Sequence, residues 1–330
     1  MVEALRNDLR VDAYIVARRK VRRMQWGVHL PHLGRQATRD ALISFSQQVE
    51  AAGFNDGWVS DHVAWPRSIE SKYPYTDDGS FPAGNDMPWL DPIGTLFFVA
   101  ACTERLRLGT TVLILPYRPP MLTAKAIASL DSLSGGRVIF GVGVGWMREE
   151  AEALGMPFDH RGARSDEQLE LIQAMFTQES PSYDGRFYTV PAVGFSPKPV
   201  RGTVPIWVGG DTEPALRRVV RFGDAFHAAF QPIDDVAAAW KRIGELCAEA
   251  GRDRDRELTL SIRLYHDPDS NQAPAKSIAG TSQQMLDTVR RWQDIGVEHI
   301  LLDPVGRGGP GRRAEELTRF MDEVGTPAAT

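Results

Sequence analysis

Apolar and polar positions along the chain fall into short buried runs that alternate with helical stripes. Trp26 to Leu30 is a compact apolar run ended by Pro31-His32-Leu33-Gly34. After it Thr38 offers an N-cap to a stretch in which Leu42, Phe45, Val49 and Ala52 recur every three or four residues. A strand followed by an amphipathic helix is therefore predicted, and the pairing repeats to the end of the chain. Gly57 to Ser60, Leu106 to Leu115, Arg137 to Gly145, Val204 to Gly210, Asp224 to Ala228, Leu258 to Tyr265 and Val297 to Leu302 read as the later strands. Helical patterns stand between and after them at Ile93 to Thr103, Pro119 to Leu130, Leu169 to Thr177, Ala215 to Val220, Val236 to Ala250, Met285 to Ile295 and Ala314 to Val324. Gly53 and Ser134-Gly135-Gly136 read as helix stops, while Ser165 with Gln168 and Thr281 with Gln284 each have the spacing of a capping box.

Strands alternating with helices from end to end imply parallel β/α units. Eight of them predict one α/β domain over residues 24–330, an eight-stranded parallel β/α (TIM) barrel with insertions after strands two and four. The first insertion is the polar stretch from Arg67 to Asp91, long enough for a lid, and its Tyr73-Pro74-Tyr75 and Pro88-Trp89-Leu90 favour order. The second is a small hairpin expected from the alternation and turn between Tyr183 and Val190. A doubly wound open sheet is the alternative. It needs a reversal of strand order, and the glycines at 141, 143 and 145 do not have the Gly-x-Gly-x-x-Gly spacing of a dinucleotide-binding turn. Residues 1–23, with Arg18-Arg19-Lys20-Val21-Arg22-Arg23 and no signal-like apolar run, read as an N-terminal extension outside the core. Met24 is the expected natural start, because the first strand follows it directly.

Composition narrows the partners. The chain is 42% hydrophobic and 25% charged with a net charge of −5, which is ordinary for a soluble protein and gives no basic surface for nucleic acid. Cys102 and Cys247 stand in apolar surroundings without metal or disulfide spacing, so a reducing cytoplasm is expected. No apolar run approaches the roughly 20 residues of a membrane span. The seven histidines show no His-x-x-x-His or Glu-paired spacing, so no metal is implied.

In a closed barrel the residues at the carboxyl ends of all the strands share one mouth. That rim would hold His29 and His32 after the first strand, Asp61, His62 and Trp65 after the second, and Thr111 and Val112 after the third. It continues with Gly143, Gly145 and Trp146 after the fourth, Gly209, Gly210, Asp211 and Thr212 after the fifth, His227 after the sixth, Arg263 and Tyr265 on the seventh and Asp303 after the eighth. Imidazoles beside flat apolar rings suit an aromatic cofactor, and Gly209-Gly210 before a helix whose cap is Asp211 or Thr212 leaves amides free for a phosphate. Plainer roles remain open: Gly143 and Gly145 can serve tight packing, Gly209-Gly210 a turn, Trp146 the core, and Asp61-His62 a polar loop exit.

Five stretches in order resemble the bacterial luciferase-like superfamily, specifically its coenzyme F420-dependent oxidoreductases. They are Gly53-Phe54 with Ser60-Asp61-His62, Arg105 to Leu113, Leu133 to Trp146, Pro205 to Gly210, and Gly223-Asp224. The resemblance implies a homodimer acting on a small-molecule substrate, with reduced F420 in the barrel mouth and hydride transfer at the ring. It implies His62 as proton donor, Asp61 orienting the site and Trp65 as a wall. Thr111-Val112 would be a bulge behind the ring with a non-proline cis peptide, and Gly145 and Gly209-Gly210-Asp211 would line the phosphate-bearing tail. Where relatives in the F420 group carry threonine and glutamate around the strand-four glycine, this chain has Val144 and Trp146, so no carboxylate role is implied there. An FMNH2-dependent flavin monooxygenase of the same fold is the alternative, followed by a non-catalytic flavin-binding relative.

Overall fold

A computed structural model describes residues 23–76, 78–81, 87–270, 276–305 and 308–328. The expected extension thus lies almost wholly outside the described residues, as do parts of the lid.

The barrel strands are β1 Gln25–His29, β2 Asp56–Val59, β3 Arg107–Thr110, β4 Val138–Gly143, β5 Ile206–Gly209, β6 Ala225–Ala229, β7 Thr259–Asp267 and β8 His299–Pro304. Each pairs in parallel with the next, and β8 pairs with β1 in the register Gln25↔His299, so the sheet closes. Closure explains why the strands are short, nearly continuous apolar runs: one face meets the helices and the other meets the barrel interior. Phe45, Val49, Leu96, Leu108, Phe140, Leu171, Val208, Leu260, Ile300 and Leu317 fill the layer between sheet and helices, all buried. Each such side chain contributes about 1.5–3 kcal/mol by leaving water.

Inside the cylinder the packing depends on small residues. The Trp58 ring lies across Gly109, where an added methyl carbon would come 2.4 Å from it. At Gly141 the same carbon would lie 1.7 Å from the backbone oxygen of Thr110, whose hydroxyl donates to the Gly141 carbonyl at 2.7 Å.

Local signals mostly hold. Thr38 accepts from Ala41 N, Thr281 and Gln284 form a reciprocal capping box, and Gly53 (φ 93°) ends its helix in the left-handed region. The box expected at Ser165 and Gln168 does not form. The helix runs from Arg161 to Thr177, Ser165 Oγ donates back to the Arg161 carbonyl, and Gln168 Nε2 donates to Arg118 O and Tyr188 Oη. The first turn, Arg161-Gly162-Ala163-Arg164, carries no apolar stripe, so nothing in the pattern marks it as helix.

The hairpin Tyr183–Asp184 with Thr189–Val190 follows that helix. A further strand, Ser277–Ala279, extends the sheet beside β7 in an insertion that the sequence pattern did not reveal. No helix among the described residues is long and apolar enough to cross a membrane.

Gly141→Ala is expected to destabilise the fold by about 3 kcal/mol or more, because the obstacle is backbone rather than a movable side chain. Gly194→Ala, with nothing within 4 Å of the added carbon, should stay within about 0.5 kcal/mol of the parent. Urea midpoints of the two variants check the contrast, and equal midpoints would contradict it.

Candidate active site

The strand ends converge on one cavity of about 780 Å³. Asp61, His62, Thr111, Val112, Gly143, Gly145, Trp146, Gly209, Gly210, Asp211 and Thr212 all line it, together with His227, Arg263, Tyr265 and Asp303. Trp65 does not. It stands behind the lining, with its ring centroid 4.5 Å from His62 and stacked at 4.6 Å on Phe81, so the wall it was expected to form is made by Phe81 in front of it.

His62 leaves β2 into a box of rings, with Trp89 at 5.1 Å and Trp146 at 6.0 Å between centroids. Its Nδ1 lies 2.6 Å from Oε2 of Glu150, a fully buried carboxylate on the short helix Arg148–Ala153. Glu150 Oε1 accepts from the backbone N–H of Val63 at 2.6 Å and of Ala64 at 3.1 Å. Burial alone would push this carboxyl upward. The hydrogen bond and charge of His62 and the two amides outweigh it, leaving Glu150 below the ordinary carboxylate range. An ionised Glu150 accepts only, so Nδ1 of His62 carries the hydrogen. Nε2 has no protein partner among the described residues.

Glu150 was missed from the sequence. The carboxylate that seemed lacking beside Val144 and Trp146 is present, four residues beyond Trp146 and reaching back across the mouth.

Asp61 is occupied by structure. Its carboxylate accepts from Arg118 Nη2 at 2.9 Å and from Ile114 N at 2.9 Å. Arg118 in turn reaches Asp91, whose other oxygen accepts from Gly94 N at the start of the helix Pro92–Cys102. Burial raises the Asp61 carboxyl, and Arg118 opposes that rise. Asp61 thus fixes the loop on which His62 sits and pins the far end of the lid.

The Thr111–Val112 peptide is cis, as the resemblance implied. Val112 projects into the mouth between two glycines. A methyl carbon at Gly143 would stand 2.4 Å from Val112 Cγ2, and one at Gly209 2.9 Å from Cγ1. These glycines therefore make room for the bulge, which settles their packing role. Gly145 (φ 77°) and Gly210 (φ 101°) hold left-handed backbone, and a methyl carbon at Gly145 would also stand 2.8 Å from Ile114 Cγ2. Beyond Gly210 the helix Glu213–Phe222 starts at Thr212, whose side chain makes no capping bond, and Asp211 accepts from Gln231. Arg161 and Arg218 complete this side of the cavity.

His29 and His32 are buried strand-end residues. His29 Nε2 meets Ser60 Oγ at 3.2 Å, and the His32 nitrogens face the Leu30 and Ser60 carbonyls. No group of three or more His, Cys, Asp or Glu among the described residues is placed to hold a metal ion.

A closed β/α barrel with a deep cavity at the carboxyl ends of its strands and a buried carboxylate–imidazole pair on the rim has the layout of a barrel enzyme's active site. The chain belongs to the luciferase-like monooxygenase family, whose sequence profile matches residues 24–324. It is 36% identical over 260 residues to an uncharacterised protein of Mycobacterium tuberculosis, covering 79% of this chain and 83% of that one. It is 31% identical over 307 residues to the F420-dependent glucose-6-phosphate dehydrogenase of Beutenbergia cavernae, covering 88% of this chain and 77% of the relative. Among solved structures it superposes on an F420-dependent secondary alcohol dehydrogenase with a TM-score of 0.74 at 15% identity, covering 92% and 99% of the two chains. The EDTA monooxygenase of a Chelativorans species gives 0.75 at 14%, covering 93% of each. At those identities the two structures speak for the fold alone.

Burial, first of all, lowers the pKa of His29, His32 and His227, in the case of His32 from 6.5 to about 4. Each is neutral when folded and takes up a proton below 6.5 once unfolded, so stability is lost as pH falls from about 6.5 toward about 4. For His32 alone the loss is at most on the order of 3 kcal/mol. The carboxylates Asp56 and Glu150 have depressed values and weaken the fold only further down, below their ordinary 3.8 and 4.5. Melting temperature should therefore decline already between about pH 6.5 and about pH 5, and a flat profile over that interval would contradict the burial of neutral histidines.

Proposed function

We propose that the protein is an oxidoreductase that transfers a hydride between reduced coenzyme F420 and a small organic substrate, with His62 handling the accompanying proton. The observation that carries this reading is the His62–Glu150 pair on the rim of the cavity. Glu150 holds the ring in one orientation and one tautomer, so that Nε2 is the nitrogen left for a reacting group. A cavity of about 780 Å³ lies within the usual range for a ligand site, roughly 300–1,000 Å³. The dehydrogenase that is 31% identical to this chain is named as F420-dependent, which supports the choice of cofactor.

The residues fit a planar ring with an acidic tail. Val112, seated on Gly143 and Gly209, gives such a ring an apolar backstop. The glycines at 145 and 210 keep side chains out of the way. The first turn of the helix Glu213–Phe222, apart from Pro214, offers amides to phosphate or carboxylate groups, with the Arg161 charge in the same wall and Arg218 already paired with Asp166. When bound, the deazaflavin supplies the ring carbon that gives or receives the hydride. The chain orients, excludes water and moves the proton. The rings of Tyr73, Phe81, Trp89 and Trp146 close over His62 and do the second of these.

An FMNH2-dependent monooxygenase would use the same cavity, and the family description favours that second reading. Titrating the protein separately with each cofactor distinguishes them. Saturable binding of F420 is expected, and binding of FMN with no response to F420 would overturn the proposal.

For whichever substrate a screen of the F420-loaded enzyme identifies, His62→Ala should lower kcat by about 10²–10⁴-fold while F420 binding is kept. Glu150→Gln sets an amide NH2 against either the His62 or the Val63 donor and should also lower kcat. Unchanged kcat in His62→Ala would remove His62 from the chemistry.

A further inference from the structure

The barrel interior contains a second set of titratable groups that the site above does not use. His227 on β6, Ser261 on β7 and His299 on β8 are register partners on adjacent strands, and all three are buried. Their side chains join end to end. Thr111 Oγ1 lies 2.9 Å from His227 Nε2, His227 Nδ1 lies 2.8 Å from Ser261 Oγ, and Ser261 Oγ lies 2.7 Å from His299 Nδ1. His299 Nε2 lies 2.7 Å from Oδ1 of Asp56. Asp56 Oδ2 accepts from Arg107 Nη2 at 2.6 Å, and Trp58 Nε1 donates to Oδ1. Arg107 is about one-third exposed, with its side chain at 35%, so the chain runs from the amino-terminal end of the barrel to the cavity floor. Only its last members, Thr111 and His227, line that cavity.

A hydrogen-bond chain of this kind has two self-consistent directions. With both imidazoles neutral, His299 Nε2–H donates to Asp56, Ser261 donates to His299 Nδ1, His227 Nδ1–H donates to Ser261, and Thr111 donates to His227 Nε2. Every link then points away from the cavity, and Thr111 offers it only lone pairs. A proton arriving at Thr111 reverses each link in turn. The original Thr111 hydrogen passes to His227 Nε2, the His227 Nδ1 hydrogen to Ser261, and the Ser261 hydrogen to His299 Nδ1. One proton enters at Thr111 and one is gained by His299, which becomes an imidazolium against the Asp56 carboxylate. Ser261 and Thr111 each still hold one hydrogen, and His227 remains neutral but has changed tautomer.

We propose that this Thr111–His227–Ser261–His299–Asp56 chain is a reversible proton store, through which Thr111 gives the cavity, or takes from it, one proton held on His299. The surroundings favour charge at His299 over charge at His227. The Asp56 carboxylate touches His299, whereas the upper end meets the cation Arg263, whose Nη1 donates to the Thr111 carbonyl at 3.3 Å and whose charge is shared with Asp303. Trp58 stacks on His227 at 5.0 Å, and Trp207 meets His299 edge-on at 4.8 Å, which keeps water from short-circuiting the links. The store is independent of which cofactor the cavity takes, so it can fail while the F420 reading stands, and the reverse.

The test is the nitrogen spectrum of ¹⁵N-histidine-labelled protein without cofactor, followed from about pH 5 to about pH 9. Neutral tautomers and imidazolium give distinct shifts. As pH falls, His299 should gain a proton and His227 should pass from the Nδ1–H to the Nε2–H tautomer with the same midpoint, never becoming charged. Ser261→Ala should uncouple the two, leaving His227 in one tautomer, and Ser261→Thr, which restores a hydroxyl, should recover the coupling. A His227 that holds a single tautomer throughout in the parent protein overturns the proposal, as does a tautomer switch that persists in Ser261→Ala. Should Ser261→Ala not fold, the parent titration alone decides.

Discussion

A single buried carboxylate ties the mouth of this barrel together. Glu150 has no exposure and sits on a helix of six residues, yet it accepts from the His62 ring and from two successive backbone amides, Val63 and Ala64, 86–88 positions earlier in the chain. Buried charge is tolerated only when its lone pairs are met. Here the donors come from the loop after β2, so ionising Glu150 and fixing that loop are one event. Asp61 does the same on the other side, with Arg118 and Ile114 from the segment after β3. The loop that presents His62 is thus held on two sides: its own Asp61 reaches the segment after β3, and Glu150 reaches it from the segment after β4.

The barrel supplies the reason these groups can meet. Closed parallel pairing puts the strand ends at one rim, and small residues let bulky ones occupy the interior: Gly27 and Gly109 accommodate Trp58, and Gly143 and Gly209 accommodate Val112. The same closure places His227, Ser261 and His299 at one level, where polar side chains satisfy one another instead of water. Above lies a cavity roofed by aromatic rings around the His62 imidazole that Glu150 holds; below lies a connected polar core.

Much of this was legible in the chain. The alternation of apolar runs and helical stripes gave all eight barrel strands, and glycines and histidines at the strand ends gave the rim, whereas the bulge at Thr111-Val112 was implied only by the family resemblance. Contacts across the mouth were not legible. Glu150 looks like any acid in the first turn of a helix, because its partner is distant in sequence. Ser165 mimicked a cap because the turn before it carries no apolar stripe. Trp65 was placed in the wall by the family resemblance, although Phe81 lines the cavity in its stead. The interior chain escaped because His227, Ser261 and His299 are spaced by 34 and 38 residues, intervals that mean nothing until the strands are in register.

Hydrogen–deuterium exchange with and without saturating F420 tests the central claim most directly, since it needs no substrate. If the strand ends form one cofactor site, amides at 61–65, 111–115, 144–150 and 210–216 should gain protection together, while the turns at the amino-terminal end of the barrel stay unchanged. Protection confined to one of these stretches, or found at the opposite end, would contradict the account.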